Sequence, residues 1–542
     1  MNRSSHRLIV ARAALGALVF CWLVLSPRAG AQTTDELTPQ EKRGKQIYQK
    51  GEGEGGEIRA VLGASALELP ATSFTCANCH GLRGEGSKEG GLQPPPLDWA
   101  TLSGWQTSPL TGRKRPPYED RTLARAISVG LDSSGSKLHP AMPFYKMSPP
   151  QMEDLIAYLK KIGKAADRDE GITDDSIKVG AALPLTGPLA QIGDDIRSAL
   201  AAYFNEVNDK GGIYGRKLRL VVEDSRGEAT ATLDATRRLV ERAGVFALVG
   251  TFEPRGSEAT NSFLKDSEVP LVGPVTLSPS LPSVPNRFVF YLLPSFTDQA
   301  RSLIDFLGSE ETRPKGRPAS RVAVVHSSTG FDKDALEGIK AQAGLYSISI
   351  VSDQEFEPGR VQMESIMGAL AASKPDYVFF LGAADDFVAF GKEMERAKLG
   401  AGLLSSAVMV GRGAFNLPPE IASRTYLSFP SSLPGKDDFS EFLAVMQKAG
   451  VNIRNAAFQT VAFGAAKVLV EATKNSRKEL SRAALVNSLE QLQNFRTGVL
   501  PPVTFGPNRR VGAVGSYVVG IDLANRQYVP LGDRLSPRGN HH

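Results

Sequence analysis

The sequence predicts a multidomain chain of two fold classes, a small all-α domain followed by an α/β body of two lobes. Three observations predict it. At 542 residues the chain is too long for one compact core, which argues for two to four domains. In the first third a helix begins near Thr38, and after a Ser148-Pro149-Pro150 start Met152, Leu155, Ile156 and Leu159 recur on one helical face. From about residue 176 short apolar runs alternate with helix-length amphipathic stretches, the pattern of parallel sheets covered by helices. With 42% hydrophobic and 22% charged residues, the chain has material for real cores and is neither a disordered tail nor a multi-span membrane protein.

Residues 1–31 read as an export signal. Arg3, Arg7 and Arg12 give a basic start, Ala13 to Leu25 is apolar, and Ala29-Gly30-Ala31 supplies a small-x-small cleavage pattern before Gln32. The alternative is an uncleaved anchor, for which the stretch is short against a span of about 20 residues. Cys21 lies in the apolar stretch without the small-residue context of a lipoprotein signal and reads as discarded, not lipidated. The signal holds four arginines and no acid, so the formal charge of +5 falls to +1 without it, 59 basic against 58 acidic residues. That leaves no basis for a nucleic-acid partner. Nor is stable membrane insertion expected after cleavage.

The mature chain holds two cysteines, both in Cys76-Ala77-Asn78-Cys79-His80. C-x-x-C-H is the attachment signature of c-type haem, with two thioethers fixing the porphyrin edge and the adjacent histidine reaching the iron. The alternatives are half a zinc site, which lacks further cysteines, or a disulfide. The second axial ligand is sought in Leu138-His139-Pro140-Ala141-Met142-Pro143-Phe144-Tyr145-Lys146-Met147.

Here the chain resembles class I cytochrome c, whose members carry a Met-Pro step shortly before the last helix. Met142-Pro143 matches it; Met147 and His139 are the alternatives, and Met152 falls on the following helix. Ser148 caps that helix, Pro149 and Pro150 occupy its first turn, and Met152, Leu155, Ile156 and Leu159 share one face. An earlier helix from about Thr38 carries Gly44 and Tyr48, similar to the family's small-then-aromatic pair where first and last helices cross. The Pro94-Pro95-Pro96 run resembles the loop whose carbonyl accepts the axial histidine's other N–H, without saying which proline does so. Trp99 and Tyr118 are candidates for a haem propionate or for packing. The resemblance implies one covalent haem c, held by Cys76 and Cys79, with His80 and Met142 on the iron. Two protein ligands leave no open iron position, which implies electron transfer rather than oxygen chemistry.

The chain departs from the simplest members by a glycine-rich insertion from Gly51 to about Leu69. It lacks the lysine and hydroxyl residue of a phosphate loop, its acids repel phosphate, and it reads as a flexible surface loop. Arg113-Lys114-Arg115 reads either as a steering patch for an acidic redox partner or as a solvated loop. The boundaries expected are 32–163 for the cytochrome domain, 164–175 for a polar linker of about ten residues spanning roughly 15–20 Å, 176–535 for the two lobes and 536–542 for a tail.

Strands are expected at Ile177–Leu183, Leu218–Val222, Phe246–Val249, Val322–Val325 and Tyr377–Leu381, with a helix near Ile196–Asn208. Here the chain resembles the type 1 periplasmic solute-binding proteins, in the branched-chain amino acid branch used by ABC importers. The resemblance rests on Leu183-Pro184-Leu185-Thr186-Gly187-Pro188, Asn208-Asp209-Lys210-Gly211-Gly212-Ile213-Tyr214-Gly215-Arg216, Val249-Gly250, Val269-Pro270-Leu271-Val272-Gly273-Pro274 and Val503-Thr504-Phe505. It implies two Rossmann-like lobes that close on a ligand in the cleft.

The cleft positions depart from the amino-acid binders. Pro254, without an N–H, stands in the turn Thr251 to Ser257 where the family has a hydroxyl residue for the ligand carboxylate. The turn Pro274 to Pro279 keeps Thr276 and Ser278 but has Leu277 where a threonine is usual. Arg412, in Val410-Gly411-Arg412-Gly413-Ala414-Phe415-Asn416, falls on the family's ammonium-binding glutamate. Reversing that charge rejects an ammonium and suits a carboxylate. Phe331 stands where the family often stacks an aromatic ring. A small non-amino-acid ligand, either an organic acid or a small aromatic or alcohol-derived metabolite, held by Arg412, Thr276, Ser278 and Phe331 is expected; the alternatives are a register shift or an Arg412 ion pair with Asp385 or Asp386. His326 reads as packing, and no Ser-His-Asp set is visible.

Together these readings give a periplasmic electron carrier with a solute-binding domain, not an enzyme, beside a redox partner of the quinoprotein dehydrogenase kind. The alternative is the substrate-binding component of an ABC importer, with a permease partner and the cytochrome as accessory. An oxidoreductase acting on the bound solute lacks a visible acid–base pair.

Overall fold

The computed structural model describes residues 37–539, apart from 64–65, 87–93, 108–111, 113, 254–257, 277–278, 280–284, 313–320, 329, 434–437 and 477–479. The expected export signal lies outside the described residues. The chain divides into two units between Asp167 and Arg168.

The first unit is framed by two capped helices. In α1 (Pro39–Lys50) the Thr38 hydroxyl accepts from the Glu41 N–H, the Glu41 carboxylate accepts from the Thr38 N–H, and Pro39 occupies the first turn. Gly51 stops the helix at φ 71°. Short helices α2 (Cys76–His80) and α3 (Trp99–Leu102) follow, then α4 (Asp120–Val129) and α5 (Pro149–Leu159). Ser148 and Gln151 cap α5 in the same reciprocal way. A Cβ placed on Gly44 of α1 would lie 2.0 Å from the Asp154 carbonyl oxygen of α5, so glycine is what lets these helices touch. Tyr48 and Tyr158, both fully buried, meet at 5.5 Å between ring centroids beside that crossing.

The glycine-rich insertion is not a flexible loop, contrary to expectation. It forms β1 (Arg59–Leu62) and β2 (Leu67–Pro70). After a two-strand ladder of β3 (Gln106–Thr107) and β4 (Lys114–Arg115), β5 (Phe144–Lys146) joins the insertion in an antiparallel sheet of order β2-β1-β5. Ile58, Ala60 and Val61 are buried in the core of this unit, which is why the segment is held.

The polar stretch 164–175 is tied down within each unit. Asp167 accepts from the Tyr158 hydroxyl at 3.0 Å and the Gly163 N–H at 3.0 Å. On the other side Asp169 accepts from the Arg482 N–H at 2.6 Å, and Ile172 bridges to Ile177.

The second unit begins with β6 (Ser176–Leu183), β7 (Lys217–Asp224), β8 (Ala247–Val249), β9 (Leu271–Val272) and β10 (Val289–Phe290), a parallel sheet of order β7-β6-β8-β9-β10. The chain then builds a second sheet from β11 (Arg321–Ser327), β12 (Ser349–Phe356), β13 (Tyr377–Leu381), β14 (Gly402–Ser406) and β15 (Thr425–Phe429). It returns to the first lobe through helices Ser440–Lys448, Ala456–Asn475 and Arg482–Glu490, and ends on β16 (Tyr517–Asp522) and β17 (Gln527–Pro530) of the second. The order is β12-β11-β13-β14-β15-β16-β17, the last two strands antiparallel. The two-lobed α/β expectation holds. In both sheets the first strand lies between the second and the third, and ligand sites of such sheets sit beyond the carboxyl ends at that switch. The C-terminal residues are packed too: the Arg538 N–H donates to Asp305 at 2.9 Å. No helix among the described residues is long and apolar enough to cross a membrane.

Candidate functional site

Cys76, Cys79 and His80 occupy the single turn of α2, so spacing alone puts both thiols and the imidazole on one short element. Thr75 braces its start, its hydroxyl donating to Asn78 Oδ1 at 2.9 Å. Neither cysteine is in a disulfide. Burial pushes the Cys76 thiol up to about 11, against the opposing hydrogen bond of the Tyr145 hydroxyl beside it. His80 is 7% exposed, and its Nδ1 lies 3.1 Å from the Pro95 carbonyl oxygen. That carbonyl can only accept, so the proton sits on Nδ1 and Nε2 keeps its lone pair. Burial lowers the His80 pKa, with the Pro95 bond opposing, which favours the neutral imidazole a metal needs. Pro95 is therefore the residue of the proline run that orients the ring.

The three candidates for a second axial ligand differ in setting. Met142 is half-buried in a turn closed by its N–H on the His139 carbonyl at 2.9 Å, and it is not packed into the apolar core. Met147 and Met152 pack against that core. His139 is exposed, with Nδ1 accepting from the Ala141 N–H at 3.2 Å. The residues present fit a covalent haem: two thiols outside any disulfide one turn apart, a buried imidazole with one nitrogen engaged, and a methionine outside the packed core. A zinc ion would need ligands that are not there, since no group of three or more His, Cys, Asp or Glu able to hold a metal occurs among the described residues.

Two buried tyrosines complete the support, one of them the Tyr48 that the sequence places at the helix crossing. The Tyr48 hydroxyl donates to the Gly81 carbonyl at 2.7 Å, fixing the end of α2, and the Tyr145 hydroxyl donates to the Phe74 carbonyl at 2.8 Å, fixing its approach. Tyrosines buried in helical units need such acceptors. Trp99 and Tyr118 are packed, each with a cation: Lys160 lies 5.4 Å from the Trp99 ring and Arg115 4.2 Å from the Tyr118 ring. Arg115 also donates to the carbonyls of Leu102, Pro116 and Thr101 at 3.0–3.3 Å, so its guanidinium is tied into the framework of this unit. Arg113 lies outside the described residues.

In the second unit, the loops beyond β6, β8 and β9 lie at the carboxyl ends of three neighbouring strands of the first sheet. Asp224, at the end of β7, organises the first: it accepts from the Leu185 N–H at 2.9 Å, the Thr186 hydroxyl at 2.6 Å and the Arg226 N–H at 2.9 Å. Burial works against its charge, yet those hydrogen bonds hold the carboxyl below its ordinary 3.8. The Asp-Ser-Arg-Gly turn ending β7 was the available signal for it. Thr251 is buried and its carbonyl accepts from Val275, which leads to half-buried Thr276. Pro254, Leu277 and Ser278 lie outside the described residues.

On the other lobe, Phe331 sits in the first turn of helix Gly330–Gly344, its side chain outside what is described. Arg412 sits in the 3-10 turn Gly411–Asn416 that follows β14. That turn is rigid: the Tyr528 hydroxyl donates to the Gly411 carbonyl at 2.5 Å, and Phe415 packs on Tyr528 at 5.0 Å between centroids. The Arg412 side chain is exposed, and none of the ion pairs found among the described residues includes it. Asp386 instead accepts from the Gly359 N–H at 3.2 Å. Thr276 thus belongs to one lobe, and Phe331 and Arg412 to the other. His326 is buried, with Nε2 3.1 Å from Asp353.

Comparison with known proteins agrees with this geometry. A periplasmic binding protein family model matches residues 176–526, and a cytochrome c family model matches residues 41–163. Leu/Ile/Val-binding protein homolog 7 of Brucella suis is 26% identical over 328 residues, covering 58% of this chain and 80% of that protein. Leu/Ile/Val-binding protein BraC3 of Rhizobium johnstonii is 22% identical over 330 residues, 61% of this chain and 87% of that protein. Among solved structures, a branched-chain amino acid ABC transporter protein of Thermus thermophilus with bound valine has a TM-score of 0.56 at 17% identity, covering 68% of this chain and 98% of that one.

Proposed function

As this chain belongs to the periplasmic binding protein family and carries a cytochrome c domain ahead of the binding region, we propose that it is an exported mono-haem electron carrier whose electron transfer answers to a bound solute. The single observation that carries the redox half is the buried His80 with Nδ1 on the Pro95 carbonyl, one turn from two cysteines outside any disulfide. Cys76 and Cys79 would hold the haem through thioethers, and His80 and Met142 would take the two axial positions. When bound, the haem supplies reversible one-electron chemistry. Pro95 keeps the proton on Nδ1, Tyr48 and Tyr145 hold the two ends of the attachment turn, and burial keeps His80 neutral. Residues 1–31 act as the export signal, cleaved near Ala31.

In the cleft, the exposed Arg412 fork on a rigid turn favours a carboxylate or another small anion over an amino acid's ammonium. Thr276 would supply a hydroxyl donor from the facing lobe; Ser278 and Phe331 are assigned to the ligand on the family resemblance alone. A chain of this build serves a periplasmic dehydrogenase of the quinoprotein class as electron acceptor, with solute reporting substrate supply. Redox titration of the holo-protein with and without saturating solute tests the link: an unchanged potential and unchanged electron-transfer rate reject it.

The second reading, an importer's substrate-binding component with an ABC permease partner, is favoured by the relatives' names, Leu/Ile/Val-binding proteins. Calorimetry with leucine separates the two. Tight leucine binding that survives Arg412→Ala rejects the anion reading and supports import.

A further inference from the structure

The glycine-rich insertion pairs with the segment that carries Met142. In the antiparallel register of β1 on β5, Arg59 faces Lys146, Ala60 faces Tyr145 and Val61 faces Phe144. Phe144 follows Met142-Pro143 directly, so the ladder takes hold two residues past the methionine. On the other side of that methionine the chain is held by the Leu138 N–H on the Gly130 carbonyl at 2.8 Å.

The insertion is itself anchored at points far from the ladder. Gln151, buried on α5, donates through Nε2 to the carbonyls of Glu54 at 3.0 Å and Gly56 at 2.9 Å. The Ala71 N–H donates to the Ile58 carbonyl at 2.9 Å, closing the base of the insertion. A Cβ on Gly51 would lie 2.4 Å from the Ala71 carbonyl, so the insertion's start lies against its end. Across the sheet Glu68 pairs with Lys146 and, at 3.6 Å, with Arg59. Tyr145 then carries the sheet to the attachment turn, since its hydroxyl donates to the Phe74 carbonyl and lies beside the Cys76 thiol.

A thioether sulfur is a neutral, weak ligand, and it keeps its place on a metal only while its loop is held against competitors. We propose that the insertion Gly51–Pro70 is a brace for the Met142 loop, and that Tyr145 and Gln151 are positioning residues that couple it to the haem-attachment turn and to the last helix. The proposal rests on Met142 as the second axial ligand and assigns that ligand its support. The antiparallel ladder fixes β5, β5 fixes Pro143, and the sulfur has only the short Leu138–Met142 turn in which to move.

The test uses the full-length holo-protein carrying Tyr145→Phe, Gln151→Glu or Met142→Ala. Gln151→Glu keeps the capping acceptor for the Ser148 N–H but has no donor for Glu54 and Gly56. The readouts are the red absorbance of methionine-ligated ferric haem, the reduction potential, imidazole binding to the ferric protein, and thermal stability. Brace variants are expected to keep covalent haem and most of their stability, to bind imidazole roughly tenfold more tightly, and to show a lower potential. Imidazole affinity and potential both equal to the parent's would overturn the brace, provided Met142→Ala abolishes the red absorbance. Loss of covalent haem in both brace variants overturns it as well, since the insertion would then serve folding and not ligation. Persistence of the red absorbance in Met142→Ala overturns the axial assignment itself, a distinct result.

Discussion

Gly44 and the Asp154 carbonyl stand in backbone contact where α1 crosses α5, and Arg43 forks the Asp154 carboxylate at 2.8 and 3.0 Å from the adjacent position. A methyl group at residue 44 would force the helices apart and pull the fork open. Gly44→Ala is expected to destabilise the cytochrome domain by about 1–3 kcal/mol despite alanine's better helix propensity. Guanidinium unfolding of the holo-protein followed by haem absorbance measures it; an unshifted midpoint would mean the crossing has slack.

Arg115 makes a separate prediction, because its guanidinium serves three carbonyls and the Tyr118 ring. Arg115→Gln should lower stability by about 1–3 kcal/mol, as expected for lost hydrogen bonds to a charged donor. Lys114→Gln, on an exposed neighbour, should fall within about 0.5 kcal/mol of the parent. Equal effects of the two on stability, with both slowing reduction by an acidic partner, would support the steering role.

What the sequence conveyed and what it hid divide along one line, the distance between interacting partners. The Ser148-Pro149 start of α5, the Gly44 and Tyr48 pair and the all-apolar strand Tyr377–Leu381 are local patterns, and each lies where its pattern predicts. The insertion was misread because its glycines mark turns correctly, with Gly51, Gly55 and Gly56 at positive φ, while Arg59-Ala60-Val61, paired locally with β2, finds its second partner, β5, more than 80 residues downstream. A short strand without its partner looks like loop. Pro95 could be narrowed only to three prolines, because choosing among carbonyls requires the fold. The family resemblance drew the reading to Arg412 and past Asp224, although the Asp-Ser-Arg-Gly turn was there to be read, because the partners of that carboxylate, the Leu185 and Arg226 N–H groups and the Thr186 hydroxyl, are brought to it only by the fold.

The Asp224 carboxyl, though burial opposes its charge, is held below its ordinary value by hydrogen bonds from Thr186, Arg226 and Leu185. Its contribution to the loop after β6 is therefore complete above the unfolded value near 3.8 and is lost as the pH falls through the lower folded value. Amide exchange at Leu185 and Arg226, corrected for intrinsic rates, should accelerate below about pH 4 in the parent. In Asp224→Asn it should be faster at neutral pH and insensitive to acid. A parent profile without that acid limb would mean the loop is held by other groups.

Arg412 is exposed and outside the ion pairs found among the described residues, while the turn beneath it is fixed by Tyr528 and Phe415. Removing its side chain should therefore cost the fold little and cost ligand binding much. Arg412→Ala is expected to leave the thermal midpoint of the binding domain unchanged and to weaken a carboxylate ligand at least about tenfold, the scale of a charge-assisted pair. Arg412→Lys should recover part of the loss, because a point charge remains but the planar fork does not. Arg412→Glu should recover none of it and should admit an amino acid's ammonium, since the sign at that position selects between the two ligand classes. Calorimetry with one ligand of each class across the four proteins reads this ordering, and an ordering independent of the charge at residue 412 would remove the residue from the site.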